Sequence, residues 1–485
     1  MSRSAFAGLE PELVWARFAE LTRIPRPPKQ EAAVREHVLA WADTHGFAAQ
    51  TDATGNVVVR VPASAGREAA PVVVLQAHLD MVCERDPSSL FDPRAGRIDV
   101  VRDGDWLRAE GTTLGADNGI GVAAALAVAE DPHVAHGPLE LLLTVSEEHG
   151  LEGAKGLDPA LVSGRLLLNL DGTSDGTLTI GCAGSAHTLV RLPLRPDPLP
   201  PGHVALEVAV TGGRGGHSGG DIARGRANAI KALGRILREG REAAPLRLAG
   251  LEGGASRNAI PREAAASVAV PAVAEAGFRA ATERELTEIR AQHPGEDRLE
   301  LRVRAAGSLA GAATEQETAR ALDLLAALPS GVVTLAPEPS GAVETSTCLT
   351  VARTEEGTLE LASMTRSASP AGLEDTVASL EAIARLAGAG VETVHSYPPW
   401  QPDPASPLLA AASATYERLF GRPPATEVVH GGLECAVLGA KLPGLRMLAL
   451  GPEIVGPHAP GERLSISSTA RFYRLLCALL DDLSR

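Results

Sequence analysis

The stretch PVVVLQAHLD at residues 71–80 joins an apolar run to polar residues at its end. The run is rich in valine and lacks alternating polar positions, which is typical of a strand buried on both faces of a sheet. His78 and Asp80 lie two residues apart, so their side chains point to the same side of the chain. The pattern predicts a buried strand that presents a histidine and a carboxylate at its carboxyl end.

Two later stretches have the same design. LELLLTV at 139–145 is followed by Glu147 and Glu148, and LLLNL at 166–170 is followed by Asp171. Between the first two strands, the alanine-rich residues 119–130 end at an Asp-Pro pair and predict a helix. Apolar strands that alternate with helices predict an α/β domain with a mostly parallel sheet and helices on both faces.

The pattern changes near residue 185. Segments such as 204–210 and 299–303 alternate apolar and polar residues, as half-exposed antiparallel strands do. A Pro-rich stretch at 397–407 is followed by a return to helix, strand and helix. We therefore predict one α/β domain in two pieces, 1–185 and 397–485, interrupted by an inserted α+β domain at 186–396. The insertion is about twice the length of a four-stranded module, so it has room for two ferredoxin-like modules.

The 485 residues carry 45 Lys and Arg against 60 Asp and Glu, which gives a formal net charge of −15. With only 3% aromatic residues, this acidity argues against nucleic-acid binding, which uses basic surfaces and stacking side chains. It also argues against binding to anionic membranes. No apolar run reaches the ~18 residues of a membrane-spanning helix, no export signal is visible, and the five cysteines form no CxxC pair. These features predict a cytoplasmic protein.

Parallel strands end at one edge of a sheet, where α/β proteins bind ligands. His78, Asp80, Glu147, Glu148 and Asp171 should therefore converge there. So many carboxylates cannot all be ionised without a counter-charge, and a pair of divalent cations would supply it. Mixed histidine and carboxylate ligands suit Zn²⁺, and also Mn²⁺ or Co²⁺.

Two further residues are candidates for this site. Asp117 lies at the start of the predicted helix, and His458 follows a predicted strand at 445–450. Ordinary alternatives exist, because an Asp before a helix is usually an N-cap and a loop histidine or a pair of glutamates is usually a solvated surface. The occurrence of ligand-type residues at consistent places on independent segments favours the metal site.

The motifs themselves are more specific than their spacing. AHLDMVCER at 77–85, TLGADNGIGVA at 113–123, TVSEEHGLEGAKGL at 144–157 and LNLDG at 168–172 resemble the co-catalytic zinc peptidases, which include carnosinases, aminoacylases and glutamate carboxypeptidases. Four more stretches are similar to the aminoacyl-histidine dipeptidase branch of that superfamily: GGRGGHSGGDIARGRANAIKAL at 212–233, GGASRNAIPREA at 253–264, HGGLE at 430–434 and GPEIVGPHAPGERL at 451–464. The resemblance covers nearly the whole chain.

The resemblance implies a site for two Zn²⁺ ions. It assigns His78, Asp117 and Asp171 to one ion, and Asp117, Glu148 and His458 to the other, so that Asp117 bridges them. The family also often carries a cis peptide bond after the bridging aspartate, which would here join Asp117 to Asn118.

The resemblance also implies roles outside the metal ligands. Glu147 would be the general base, and Asp80 would fix the orientation of His78. The inserted domain would be a lid that contacts the substrate. The implied contacts are an oxyanion donor, a carboxylate-binding arginine and two further positions, respectively His217, Arg366, Asn258 and Gly432.

The implied activity is hydrolysis of dipeptides with a free C-terminal carboxylate, including Xaa-His and carnosine-like peptides. Two alternatives stay open at this point. One is an N-acyl-amino-acid hydrolase or a broader di/tripeptidase of the same superfamily, and the other is a non-catalytic metal-dependent binding protein. The expected partner is a small peptide. A homodimer is also open, since His217 could act within its own chain or in a partner's site.

The chain departs from the family pattern in two places. Gly172 and Thr173 follow Asp171, where Ser-Glu is common, and Gly461 stands where an acidic residue is common. Neither change removes a predicted ligand, but both alter the surroundings of one. We expect any effect to fall on metal affinity or substrate preference.

Overall fold

The computed structural model describes residues 5–96, 98–336 and 341–485. The chain forms two compact units. Unit 1 comprises Met1–Cys182, Trp400–Val428 and Leu433–Arg485, and unit 2 comprises Ala183–Pro399 and Val429–Gly432. This division differs slightly from the domain boundaries expected at 185/186 and 396/397, which remain predictions.

Helices and strands are numbered along the chain. The first segment contains α1 Glu12–Leu21, α2 Ala32–Thr44, β1 Ala48–Thr51, β2 Val57–Val61, β3 Val73–His78, β4 Val100–Asp103, β5 Trp106–Ala109, α3 Ala116–Glu130, β6 Leu139–Thr144, α4 Glu152–Gly156, β7 Leu166–Asn169 and β8 Thr177–Cys182. The middle segment contains β9 Gly184–Pro193, β10 His203–Thr211, β11 Gly216–His217, α5 Ala229–Ala243, β12 Arg247–Gly253, β13 Ala259–Ile260, β14 Ala264–Pro271, α6 Glu275–Gln292, β15 Glu300–Ala305, α7 Glu315–Ala327, β16 Gly331–Leu335, β17 Val343–Glu355, β18 Thr358–Ser367, α8 Pro370–Leu386 and β19 Gly390–Tyr397. The last segment contains α9 Pro407–Phe420, β20 Ala425–Val429, α10 Glu434–Lys441, β21 Arg446–Ala449, β22 Ile454–Val455, β23 Arg463–Ser465 and α11 Ile466–Leu483.

The main sheet of unit 1 has eight strands among the described residues, in the order β1-β2-β6-β3-β7-β21-β8-β20. Its central strands β6, β3, β7 and β21 pair in parallel. By contrast, β2 runs antiparallel to β6, and β8 runs antiparallel to β21. All six residues of β3 and of β6 are buried, as strands covered on both faces require. The predicted α/β class is confirmed, with the parallel pairing confined to the centre of the sheet.

Helix α3 starts irregularly. Gly115 precedes it with a φ of +72°, which glycine adopts without steric cost. Asp117 and Asn118 have non-helical backbone angles inside the helix, and the peptide bond between them is cis, as the resemblance predicts. The interpretation of Asp117 as an N-cap is wrong, since Gly115 holds the cap position and no side chain makes a capping hydrogen bond there.

Unit 2 contains a nine-stranded sheet within its described residues. The main row is β15-β10-β14-β12-β17-β18-β9-β19, and β16 pairs with β17. The first half is a βαββαβ unit, β10-α5-β12-β14-α6-β15, whose strands lie in the spatial order four-one-three-two. We call it the inner module.

The second half of the row repeats this order. Its strands in chain order are β9, β17, β18 and β19, with α7 before β17 and α8 before β19. We call this the outer module, and the inner module is inserted in the chain between β9 and α7. The expectation of two ferredoxin-like modules is therefore confirmed, and one is nested inside the other.

Two features concern the helices and the cysteines. No helix in the described ranges is long and apolar enough to cross a bilayer. All five cysteines are unpaired, and four of them are buried.

Leu126→Ala tests the importance of the buried helix α3 for stability. Leu126 is 0% exposed within α3, so we expect a loss of about 2–5 kcal/mol from lost contacts and the cavity left behind. Leu90→Ala is the matched control, because Leu90 is 96% exposed and its loss should change stability by less than about 0.5 kcal/mol. Thermal unfolding followed by circular dichroism measures both, and equal shifts would contradict the core position of Leu126.

Candidate functional site

The candidate site lies in unit 1, at the ends of its central strands. His78 is the last residue of β3, Glu147 and Glu148 follow β6 by a short turn, and Asp171 lies two residues after β7. Because β3 pairs in parallel with both β6 and β7, the three ends meet at one edge of the sheet.

Asp117 is the centre of this cluster. Its Oδ1 lies 3.0 Å from His78 Nε2, and its Oδ2 lies 3.2 Å from His458 Nε2. Two histidines from opposite ends of the sequence thus face different oxygens of one carboxylate. This is the arrangement expected of a bridging metal ligand.

A second carboxylate stands beside each histidine. Asp171 Oδ1 is 3.4 Å from His78 Nε2, and Glu148 Oε1 is 3.0 Å from His458 Nε2. Ligand atoms of His78, Asp117 and Glu148 also lie within 4.8 Å of one another, so one ion could contact all three. The structure brings the five predicted ligands together and arranges them as two groups that share Asp117.

Crowding of like charges shifts the pKa values of these groups. Burial raises the pKa of Asp171 to about 7, and the neighbouring Asp117 adds to this. Burial works in the same direction on Asp117, but its two histidines outweigh it and lower the pKa of that carboxyl group. Burial disfavours the charged form of His458, yet Asp117 and Glu148 raise its pKa to about 11. Protons thus neutralise part of the cluster, in positions where divalent cations would replace them.

Glu147 lies next to the predicted metal ligands in the sequence but is not one of them. Within the described residues, its carboxylate forms no ion pair within 4.0 Å. Burial raises its pKa well above the ordinary value, and Glu148 and Asp171 add to this against the opposing effect of His78. A raised pKa makes this carboxylate a stronger proton acceptor, which suits a general base.

Asp80 holds the turn that carries the two glutamates. Its Oδ1 accepts a hydrogen bond from the amide of Glu147, and its Oδ2 accepts one from the amide of Glu148, each at 3.0 Å. The carboxylate is also 3.4 Å from His78 Nδ1, while the hydrogen bond of that nitrogen goes to the Asp80 carbonyl oxygen at 3.2 Å. Asp80 is therefore placed to orient both the histidine and the glutamate turn.

Glu462 does for Asp117 what Asp80 does for the glutamates. Its buried carboxylate accepts hydrogen bonds from the four consecutive amides of residues 114–117, at 2.7, 2.9, 2.8 and 3.2 Å. The irregular turn before α3 is thus held by one side chain from far along the sequence. Glu462 lies in the GPEIVGPHAPGERL motif, four residues after His458, which is the signal that could have identified it.

Arg26 joins the loops behind the site. Its Nη1 donates to the carbonyl oxygens of Leu79 and Asp80 at 2.9 and 2.8 Å, and its Nη2 donates to the Gly115 oxygen at 2.5 Å. A Cβ on Gly115 would lie 2.7 Å from Nη2, so glycine is needed for this approach as well as for its φ. Nothing in the sequence marks Arg26, which lies in a Pro-rich stretch that resembles a loop.

A buried polar network crosses the same strands. Glu434 is fully buried and accepts hydrogen bonds from Gln76 Nε2 at 2.5 Å and Thr144 Oγ1 at 2.6 Å. Gln76 Oε1 in turn accepts one from Asn169 Nδ2 at 2.5 Å. Burial raises the pKa of Glu434 to about 7. Because its partners stand on β3, β6 and β7, the network connects the strands that carry the ligands.

The predicted substrate contacts all lie in unit 2. Arg366 occupies a cross-strand row that runs from Ser346 through Arg366 and Ser185 to Tyr397. Its Nη1 donates to Tyr397 Oη at 3.1 Å, and its Nη2 donates to Asn258 Oδ1 at 3.3 Å. Arg366 is 3% exposed, and no carboxylate of the described residues lies within 4.0 Å of it. A buried guanidinium with neutral partners only is suited to bind an anion.

His217 and Gly432 are positioned around this row. His217 Nδ1 accepts hydrogen bonds from the amides of Gly219 and Gly220 at 3.3 and 2.9 Å, so the proton of the neutral ring is on Nε2, which becomes a donor. Ser218 donates its amide hydrogen to the Asn258 carbonyl oxygen at 2.7 Å. A Cβ on Gly432 would lie 2.5 Å from Tyr397 Oη, so Gly432 packs closely on that ring.

Both departures from the family pattern have a place in the structure. A Cβ on Gly172 would lie 2.6 Å from the backbone nitrogen of Gly451, so the two glycines pack backbone against backbone beside Asp171. Gly461 has a φ of +99° and open space around it, just before Glu462. The first glycine permits a close approach, and the second permits the turn.

Comparison with known proteins identifies the family. Residues 74–482 match peptidase family M20/M25/M40. The chain belongs to this family. Membership confirms the resemblance inferred from the motifs and makes this M20/M25/M40 member a hydrolase acting on peptide bonds.

Several relatives of this M20/M25/M40 member cover nearly its whole length. It is 38% identical over 487 residues to the cytosol non-specific dipeptidase of Escherichia coli (strain K12), which covers 99% of each chain. Its structure matches aminoacylhistidine dipeptidase from Vibrio alginolyticus with a TM-score of 0.85 and 36% identity, over 98% of this chain and 97% of that one. Aminopeptidase PepT from Bacillus cereus matches with a TM-score of 0.58 and 16% identity over 98% and 100%, which shows the fold alone.

Glu462→Gln tests the support of Asp117. An amide nitrogen cannot accept hydrogen bonds, so two of the four backbone amides lose their partner and the Asp117 turn loosens. We expect metal affinity to fall about 10- to 100-fold, as it does when a group that orients a ligand is removed. Competition with a chromophoric chelator measures it. Glu110→Gln, on a side chain that is 59% exposed, controls for the lost charge, and equal affinities in the two variants would contradict this role.

Proposed function

We propose that this chain is a metal-dependent dipeptidase that hydrolyses dipeptides with a free C-terminal carboxylate, Xaa-His and carnosine-like peptides among them. The observation that carries the proposal is the position of Asp117, whose two oxygens face two different histidines. The names of the E. coli and Vibrio relatives support the substrate class.

Two divalent cations fit the side chains at this site. His78, Asp117 and Asp171 would hold one cation, and Asp117, Glu148 and His458 would hold the other. The buried Glu148 Oε1 lies 3.0 Å from His458 Nε2 but forms no hydrogen bond of good geometry among the described residues, as expected of two ligand atoms that face one cation. Histidine together with carboxylate is a typical zinc ligand set, so we assign two Zn²⁺ ions, and Mn²⁺ or Co²⁺ suits the same ligands.

When bound, the two cations polarise the scissile carbonyl and acidify the attacking water. We assign proton transfer to Glu147, whose carboxylate accepts a proton from that water and delivers it to the leaving amine. Asp80 keeps Glu147 in place, because its carboxylate accepts a hydrogen bond from the backbone amide of Glu147. His217 Nε2 is the donor that we assign to the developing oxyanion, in the tautomer that the Gly219 and Gly220 amides select.

Arg366 is our candidate for recognising the C-terminal carboxylate. Its buried charge has neutral partners only, and two of its five N–H groups are used by Tyr397 and Asn258. A carboxylate bound by the remaining donors would supply the missing counter-charge. Asn258 and Gly432 line the same site in this proposal, which makes unit 2 the substrate-binding lid.

We place the activity in the cytoplasm. The five unpaired cysteines fit a reducing compartment, and the E. coli relative is named for the cytosol. The lid boundaries, 186–396, belong to the same proposal.

Glu147→Gln tests the base. The variant keeps the size of the side chain but cannot take up a proton, so we expect kcat to fall about 100- to 10,000-fold while metal content stays unchanged. Hydrolysis of Ala-His and metal analysis of the same samples measure this. Glu152→Gln, on a side chain that is 45% exposed in the following helix, is the control with ordinary activity. Activity that survives in Glu147→Gln would remove Glu147 from the mechanism.

Arg366→Met tests carboxylate recognition, because methionine keeps an apolar stem and removes all five donors. We expect KM for Ala-His to rise about 10- to 100-fold, the effect of losing charge-assisted hydrogen bonds. The binding of Ala-His amide, which lacks the carboxylate, should change much less. Similar losses for both compounds would contradict the assignment.

A substrate panel separates the proposed function from its rivals. We expect Ala-His to be hydrolysed faster than N-acetyl-amino acids and tripeptides. Addition of a chelator should abolish the activity, and removal of the chelator followed by addition of metal should restore it. Faster hydrolysis of N-acetyl-amino acids would favour an acyl-amino-acid hydrolase, and comparable hydrolysis of tripeptides would favour a broader peptidase.

A further inference from the structure

His430 lies in unit 2 beside the row that carries Arg366. Its Nε2 is 2.7 Å from Ser346 Oγ, and Ser346 is the direct cross-strand partner of Arg366. Opposed residues on paired strands share one face of a sheet, so the imidazole is on the face where Arg366 stands. A Cβ on Gly219 would lie 2.3 Å from the His430 oxygen and 2.8 Å from Arg366 Cδ, so the same glycine touches both residues.

Two nitrogens of this cluster have no hydrogen-bond partner within the described ranges, although both are buried. They are Arg366 Nε and His430 Nδ1. Buried polar atoms normally form hydrogen bonds, because a buried donor or acceptor without a partner costs free energy. Two such atoms on one face are explained by a ligand with acceptor oxygens.

The imidazole of His430 is neutral under ordinary conditions. Burial lowers its pKa to about 4, and the positive charge of Arg366 acts in the same direction. A neutral imidazole has one donor and one acceptor nitrogen. When the Ser346 hydroxyl donates to Nε2, the ring proton is on Nδ1, so the buried nitrogen becomes a donor.

We propose that His430 Nδ1 donates a hydrogen bond to the C-terminal carboxylate of the bound dipeptide beside Arg366, with Ser346 selecting the required tautomer. The inference rests on the dipeptidase function proposed above. It adds a neutral, directional donor beside the charged Arg366, and it gives the histidine of the HGGLE motif a function.

Two amide variants of His430 distinguish the roles of its two ring nitrogens. The amide nitrogen of asparagine reaches about as far as Nδ1, whereas the amide of glutamine reaches to the position of Nε2. We expect His430→Gln to raise KM for Ala-His about 10- to 100-fold with kcat changed less than about threefold, because a hydrogen bond to a charged group is lost. We expect His430→Asn to restore most of the affinity. His203→Gln, on a half-exposed histidine of the inner module, is the control.

Ala-His amide, measured as a competitive inhibitor of Ala-His hydrolysis, tells which part of the peptide is bound. The proposal requires that His430→Gln weaken binding of the amide much less than binding of the acid, because the amide lacks the charged carboxylate that strengthens this hydrogen bond. Equal KM values for Ala-His in wild type and His430→Gln would overturn the inference alone. So would a loss of affinity that is as large for the amide as for the acid. If the wild type cleaves no dipeptide, the proposed function fails, and the inference fails with it.

Discussion

The structure depends on one requirement, which is that the Asp117 carboxylate face two histidines at once. Neither histidine is near it in the sequence, and a regular helix start would not direct its side chain between them. The chain meets this requirement with a left-handed Gly115, non-helical angles at Asp117 and four amides that donate to Glu462. Arg26 then ties the Gly115 carbonyl oxygen to the loop that follows His78.

The charge of the site follows from the same geometry. Placing Glu148 and Asp171 beside the two histidines concentrates carboxylates that repel one another, and burial strengthens the repulsion. The buried guanidinium of Arg26 donates its hydrogen bonds to carbonyl oxygens and not to these carboxylates. The protein positions the negative charges and leaves most of their neutralisation to what binds there.

Much of this could be predicted from the sequence, because the informative features are local. The buried strands β3, β6 and β7 are visible as short apolar runs, and the ligands follow them directly. The length of the insertion predicted room for two modules. It did not predict which strands pair, since cross-strand partners such as Ser346 and Arg366 leave no local signal. The antiparallel flanks of the main sheet were missed for the same reason.

The backbone partners of the supporting residues could not be predicted. Glu462 and Arg26 act on backbone atoms that are distant in the sequence, and a single charged residue in a loop does not reveal which amides or carbonyl oxygens it meets. His430 was visible within a motif, but its relation to Arg366 depends on strand register. Asp80 was assigned to His78, and the two hydrogen bonds that its carboxylate also accepts from the amides of Glu147 and Glu148 were not anticipated.

The nesting of the two modules in unit 2 has a mechanical consequence. The inner and outer modules share one sheet, but β12 and β17 pair through only two residue pairs, Glu252 with Arg353 and Gly253 with Ala352. Asn258 belongs to the inner module and Arg366 to the outer one, so their hydrogen bond also fastens the modules across this short seam. A ligand bound by both Asn258 and Arg366 would connect the inner and outer modules. Part of its binding energy would then stabilise the pairing of the two halves of the sheet.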